Sequence, residues 1–510
     1  MNKGLLRSLS SNPLPDKSML PALNFVKKHS TVFSLISIIA IGAAVYFNSL
    51  GGEFIWDDHL LIRENIYLES WANLPEIFSK GITSGAGVIE GSFYRPLQIF
   101  SYLLNYSLWG LNPGGYHLTN VLLHVLAAIS VYWLARLLFS DKILAFLSAV
   151  FFVAWPVHTE AVTYISGRAD SLVALFTLLC LIYYIRTSGI ESVKVYFLII
   201  AGYLCALLSK ENSLIFPAVI LLYHYAFSKK ISVSKISLIF AVSIIYAFAR
   251  FTIFKEFMPV VEAKGSFLER IPGFFAAITG YTRLLFFPLD LHMEHGNKLF
   301  SLFDPMVVVG ILITLLLSGI AFIFKKRNKI IFFGIGWFFL MLLPTANIYR
   351  VNSSYMMEHW LYLPSVGFFF ILSAGLAFLL RKKNFQLVGI VIAVALVLSY
   401  SLMTIKQNDY WRDEITFYER TLEFKPANPK LYFNLGLAYE REGRKRDAIA
   451  AYAAALEINP DYFLAHNNLA VAYYEEKKYS LAIKHCDRAL ALGYPVHPGF
   501  VERLKPYRQN

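Results

Sequence analysis

Residues 142–170 read KILAFLSAVFFVAWPVHTEAVTYISGRAD. Lys142 opens an apolar run, Pro156 breaks it, and a polar stretch then carries His158, Glu160, Arg168 and Asp170 into the next apolar run. Ionisable groups at the edge of a membrane domain are costly unless they are paired or put to use. Helix capping accounts for Ser166 or Asp170. It does not account for His158 beside Glu160, so this turn between two bilayer-crossing helices reads as a functional segment.

The composition around it agrees. Of 510 residues, 57% are hydrophobic and 16% charged, and the mean hydropathy is +0.52, too little charge to cover a soluble surface of this size. The 43 Phe and 31 Tyr fit lipid-facing surfaces and interfacial belts. A net charge of +13 raises nucleic acid as a partner. The basic residues, however, sit in short clusters between apolar runs, the pattern of cytoplasmic loops. Three cysteines exclude a disulfide framework. No Walker motif, phosphate-cradling glycine loop or catalytic cysteine arrangement is present, which disfavours an ATP-driven pump.

Apolar runs begin at Thr31, Tyr116, Lys142, Asp170, Val195, Asn212, Ser234, Ile271, Asp304, Ile330, Trp360 and Phe385. The segment Pro96–Trp109 is too short to cross and reads as interfacial. Lys3, Arg7, Lys17, Lys27 and Lys28 precede the first run, which reads as an uncleaved signal anchor with its N-terminus inside. If the run Ile271–Pro288 is re-entrant or interfacial, Lys325–Lys329 and Arg381–Lys383 also fall inside. Pro272, Gly273 and Gly280 weaken it as a straight span. The expectation is eleven spans, with residues 1–30 cytoplasmic, a membrane domain over 31–406 and a first outer loop at 51–115. A tail at 407–510 lies outside.

That tail has its own period. Tyr432, Leu435, Gly436, Tyr439, Ala448, Tyr452, Ala455 and Pro460 fit the tetratricopeptide pattern. Leu469, Ala470, Tyr473, Ala482 and Ala489 repeat it in register 34 residues on. Trp411–Glu423 reads as part of a degenerate preceding unit. So short a solenoid leans on the membrane domain or another chain for stability, and serves either as a peptide-holding groove or as a cap.

On the outer face, Asp57 and Asp58 follow the first span within FIWDDH. Adjacent carboxylates repel, so one holds a raised pKa, or they share a cation, or they cap a loop helix. Arg95 is either an interfacial anchor or a phosphate clamp. Lys210 and Glu211 form either a hairpin salt bridge or, through Lys210, a phosphate ligand. Glu358, His359 and Tyr362 open the penultimate span. His292, Glu294 and His295 form a polar patch without a defined metal-ligand set.

In order, the motifs WDD, YRPL, GYHLTNVLLHVLAA (115–128), PVHTEAVTYISGRAD (156–170), LSKEN, LLPTANI (342–348) and EHWLYLPSVGF (358–368) precede the closing repeats. Together they resemble the transmembrane and tetratricopeptide-repeat O-mannosyltransferases over nearly the whole chain. The resemblance implies an all-α GT-C glycosyltransferase fold. It implies transfer of mannose or a similar hexose, with inversion, from a polyprenyl-phosphate donor to a hydroxyl of an exported protein on the non-cytoplasmic face. By position it marks Asp58 as general base and Asp57 as its acceptor-positioning partner. Phosphate contacts are drawn from Arg95, Arg168, Lys210 and His359. His158, Glu160, Asp170, Glu211, Glu358 and Tyr362 line the substrate. A divalent cation is compatible with these ligands and not required by them, and no nucleic acid is implied. The short repeat array points to a bacterial member with a periplasmic site, or a lumenal site in an endoplasmic-reticulum membrane. A membrane-embedded scaffold for envelope assembly and a lipid or glycan transporter are the competing classes.

Overall fold

A computed structural model of the chain describes residues 30–88, 93–254, 265–293, 295–296, 298–346 and 354–508. The basic N-terminal segment, Glu294 and part of the LLPTANI motif lie outside the described residues. Among those described there is no strand; the chain is an all-α membrane bundle carrying a helical-repeat tail.

Among the described residues, five helices are long and apolar enough to cross a bilayer: Pro113–Phe139, Ile165–Arg186, Val233–Thr252, Pro305–Phe324 and Gln386–Asp409. A sixth candidate is the pair Lys142–Ala154 and Pro156–Val162, bent by 52°. Pro156 cannot continue the helix hydrogen-bond ladder, which puts the bend there. Ser30–Val45, Val193–Ser209, Lys329–Thr345 and Ser365–Arg381 are shorter apolar helices. Residues of the run expected to be re-entrant form one continuous helix, Phe267–Phe286, with Pro272 inside it and a Ser266/Glu269 capping box at its start. It lies against Pro305–Phe324, where Thr279 Oγ1 donates to the Met306 carbonyl at 2.6 Å. Pro96–Trp109 is a separate 14-residue helix.

Lipid tails are as apolar as leucine, so close van der Waals contact must hold such helices together. Lys329–Leu342 and Ser365–Arg381 meet backbone to backbone through Gly334 and Gly367. A methyl on Gly367 would sit 2.2 Å from the Gly334 carbonyl oxygen. Trp155 and Trp337 are wholly buried, and the Trp337 indole donates to the Leu363 carbonyl at 2.8 Å.

The two ends of the bundle differ. At one end Lys142 Nζ reaches Ser30 Oγ at 2.8 Å and Arg381 pairs with Asp141. At the other, the last long helix runs directly toward the tail, and the tail packs on the loop that follows the first helix. Glu53 N donates to the Arg412 carbonyl at 2.8 Å, Asn48 Nδ2 to Asp409 Oδ1 at 2.9 Å, and Trp411 stacks on Tyr164 at 5.3 Å. Trp56 packs against both Phe417 and Tyr418 of the tail's first helix, Glu414–Phe424. These contacts seat the short solenoid on the membrane domain.

Candidate functional site

The two members of the acidic pair face opposite ways, just after a left-handed backbone turn. Trp56 has φ 52°, a left-handed value that a tryptophan adopts only when its surroundings enforce it. After that turn, Asp58 points into the protein and Asp57 points out. Asp58 is wholly buried. Its Oδ1 accepts from the Ser166 backbone N–H at 2.9 Å and from the Ser166 hydroxyl, and its Oδ2 accepts from Ile55 N at 3.1 Å. Burial pushes this carboxyl up to about 7, against the opposing pull of those hydrogen bonds.

Asp57 is exposed. It opens into a cavity of ≈ 270 Å³ between the loop and the tail, lined also by His59, Glu414, Tyr418, Lys430 and Arg441. Because the space is concave, protein mass surrounds the carboxyl on most sides and raises its pKa. A hydrogen bond from Tyr164, and then the charges of Lys430 and Arg95, pull the other way. A second cavity of ≈ 650 Å³ adjoins His59 and Glu414. It is bounded by the tail residues Arg412, Arg441 and Arg444.

The helix ends behind this loop gather paired charges. Arg95 grips Glu211 with two bonds, Nη2–Oε1 at 3.1 Å and Nε–Oε2 at 3.2 Å, the fork geometry that suits a guanidinium and a carboxylate. Lys210 Nζ lies 2.7 Å from both oxygens of Asp170. His359 caps the buried Glu160 twice, through its backbone N–H at 2.8 Å and Nδ1 at 2.7 Å. Asp170, Asn212, His359, Trp360 and Tyr362 border a cleft of only ≈ 20 Å³, about the space of one water. Arg95 and His359 keep a partly exposed edge, while Lys210 is buried against its partner.

The other expected site residues are placed elsewhere. Arg168 is wholly buried. Its Nε donates to Asn120 Oδ1 at 2.6 Å, Nη1 to the Ser101 carbonyl and hydroxyl, and Nη2 to the Tyr116 carbonyl at 3.0 Å. Its plane lies over Tyr102. Four of its five guanidinium N–H donors are thereby engaged inside the protein. His158 is an interior residue bonded to the Phe152 carbonyl and Ser365 Oγ. The Tyr362 hydroxyl is buried on His124 Nδ1 at 2.6 Å. Glu358 accepts from His292 N at 2.6 Å; burial, with Glu160 nearby, raises its carboxyl well above the usual range.

Tyr164, Asn120, His124 and Lys430 were not singled out from sequence. Asn120 and His124 stand four apart on one face of an otherwise apolar helix, a spacing that marks an inward polar stripe. Nothing local to Lys430 connects it with Asp57, 373 positions away.

The tetratricopeptide-repeat family matches residues 417–493. Protein O-mannosyl-transferase F38B6.6 of Caenorhabditis elegans is 28% identical over 433 residues, 81% of this chain and 61% of that protein. Mouse protein O-mannosyl-transferase TMTC3 is 25% identical over 79% of this chain and 49% of its own length. Human TMTC2 is 38% identical over a shorter stretch of 149 residues. The chain is homologous to protein O-mannosyl-transferases. It spans about half the length of these O-mannosyl-transferase relatives. Among solved structures, an oligosaccharyltransferase from Archaeoglobus fulgidus aligns with TM-score 0.44 and 13% identity over 76% of this chain and 56% of that one. ArnT from Cupriavidus metallidurans aligns with TM-score 0.41 and 14% identity over 87% and 78%.

Proposed function

We propose that the chain is an inverting membrane glycosyltransferase of GT-C type. It moves mannose or a similar hexose from a polyprenyl-phosphate donor to a serine or threonine hydroxyl of an exported protein. The observation that carries the reading is the position of Asp57. Its carboxylate is exposed on a cavity that Lys430 of the tail also lines, and the charges of Lys430 and Arg95 both favour its ionised form. The tail side offers cavities for an acceptor, and the bundle side offers Arg95 and His359 for the leaving phosphate. Asp57 takes the proton from the acceptor hydroxyl as that oxygen attacks the anomeric carbon, and the polyprenyl phosphate departs toward the cations. Charge stabilisation on the leaving phosphate is the main catalytic demand. The roles within the acidic pair are thereby exchanged relative to the order drawn from family position, because both Asp58 oxygens are already engaged by Ser166 and Ile55. Asp58 holds the loop.

With the N-terminus inside, this site and the tail face the non-cytoplasmic side: the periplasm of a bacterium, or the lumen of an endoplasmic-reticulum membrane. The test is transfer by the full chain, reconstituted with a polyprenyl-phosphate mannose and a Ser/Thr-rich peptide. Asp57→Asn is expected to slow turnover by about 10²–10⁴-fold, the usual worth of a general base. Undiminished turnover in that protein overturns the assignment. Loss confined to a well-folded Asp58→Asn protein returns the base to Asp58.

A further inference from the structure

We propose that His292, His295 and Glu358 form a binding site for a divalent transition-metal ion of the zinc class. Each offers one ligand atom, and the three atoms lie within 4.8 Å of one another. Ligands on a tetrahedral zinc stand about 3.4 Å apart, so side-chain adjustments of an ångström or so close the set.

The hydrogen bonding around the cluster is arranged for a cation that supplies what the protein does not. His292 Nδ1 lies 2.7 Å from the Asp290 carbonyl. A carbonyl only accepts, so the proton sits on Nδ1 and the Nε2 lone pair is left for a ligand, the tautomer control found around metal-bound histidines. His295 Nε2 is buried and has no hydrogen-bond partner, and neither has Glu358 Oε2. A simple ion pair does not answer for them, because His295 Nε2 stands 3.8 Å from Glu358 Oε1, too far for a hydrogen bond. Glu160 places a second carboxylate near the buried Glu358, where a dication would offset the repulsion.

Two imidazoles and one carboxylate suit zinc, cobalt or nickel rather than calcium or magnesium, which favour oxygen ligands. Three protein ligands leave a fourth position for water. The site also lies on a seam: the His292 ring stacks on Phe424 at 4.3 Å, and Lys425 Nζ donates to the His295 carbonyl at 2.9 Å. An ion here would fasten the tail's first helix to the membrane domain, whatever chemistry the acidic pair performs.

The test uses the full chain purified in detergent and stripped with a chelator. Titrated Co²⁺ is expected to give visible ligand-field absorption that saturates at one equivalent and is displaced by Zn²⁺. His295→Gln and Glu358→Gln proteins should bind more than about 100-fold more weakly, beyond the loss from a mere supporting contact. Zn²⁺ should raise the melting temperature of the unmodified protein and leave those of the variants unchanged. Equal Co²⁺ affinity in the His295→Gln protein overturns the proposal. Should the variants fail to fold, the unmodified protein decides alone, and a melting temperature insensitive to Zn²⁺ overturns it.

Discussion

Arg168 keeps its guanidinium inside the protein, and Asp58 does the same with its carboxylate. Replacing Arg168 with alanine orphans the Asn120, Ser101 and Tyr116 acceptors, at about 1–3 kcal/mol each. Folded protein recovered in detergent should fall sharply and melt lower, with or without a lipid donor present. For Asp58, burial raises the native carboxyl from 3.8 to about 7. The native state therefore holds that proton more tightly than the unfolded chain does. The resulting stabilisation is complete below about pH 4 and is lost as pH rises through about 7. Asp58→Asn removes the group, so its melting temperature should vary less than that of the parent protein across this interval. A steeper dependence in the variant would contradict the burial argument. If Asp57 is the base, its raised pKa places the rise of transfer rate with pH above that of an unperturbed carboxylate; a rise at or below the ordinary carboxylate range would contradict it. The sequence displayed the acidic pair and the ionisable turn openly. Which acid faces inward was not legible, because that depends on the left-handed torsion at Trp56 and on a serine 108 positions away.

At the scale of elements, the turn between Val162 and Arg168 is built on a glycine. A Cβ at Gly167 would lie 2.3 Å from the Glu160 carbonyl oxygen, so no other residue fits without displacing the segment that carries Glu160, Ser166 and Arg168. Gly167→Ala should cost about 1–3 kcal/mol, as overpacking does, and should shift the melting curve of the whole bundle rather than of the tail. Helix positions were readable from apolar run length, and the break at Pro156 from the proline itself. In the run at Ile271, expected to be re-entrant or interfacial, Pro272 sits near the start of a helix that continues unbroken to Phe286. A proline six residues into a helix removes one early hydrogen bond and leaves the rest of the ladder intact.

For the whole molecule, repeat spacing disclosed the tail, and its seat did not follow from spacing. That seat is made by Trp411, which is 2% exposed, by Trp56 packed on Phe417 and Tyr418, and by Glu414 joining His59 to Arg441. These partners are separated by hundreds of residues, and no local pattern encodes them. Trp411→Ala should cost about 3–5 kcal/mol. Limited proteolysis should then nick the chain near residues 406–428 while the bundle stays intact; unchanged protection would show that the tail is held elsewhere. A tail seated this firmly leaves the loop cavities at ≈ 270 and ≈ 650 Å³, room for a few side chains of an extended strand and far too little for a folded domain. If sugar is attached there, the acceptor must arrive as a thread. Modification would then have to outrun the folding of the cargo, which makes the order of export, glycosylation and folding a matter of timing set by the width of a slot.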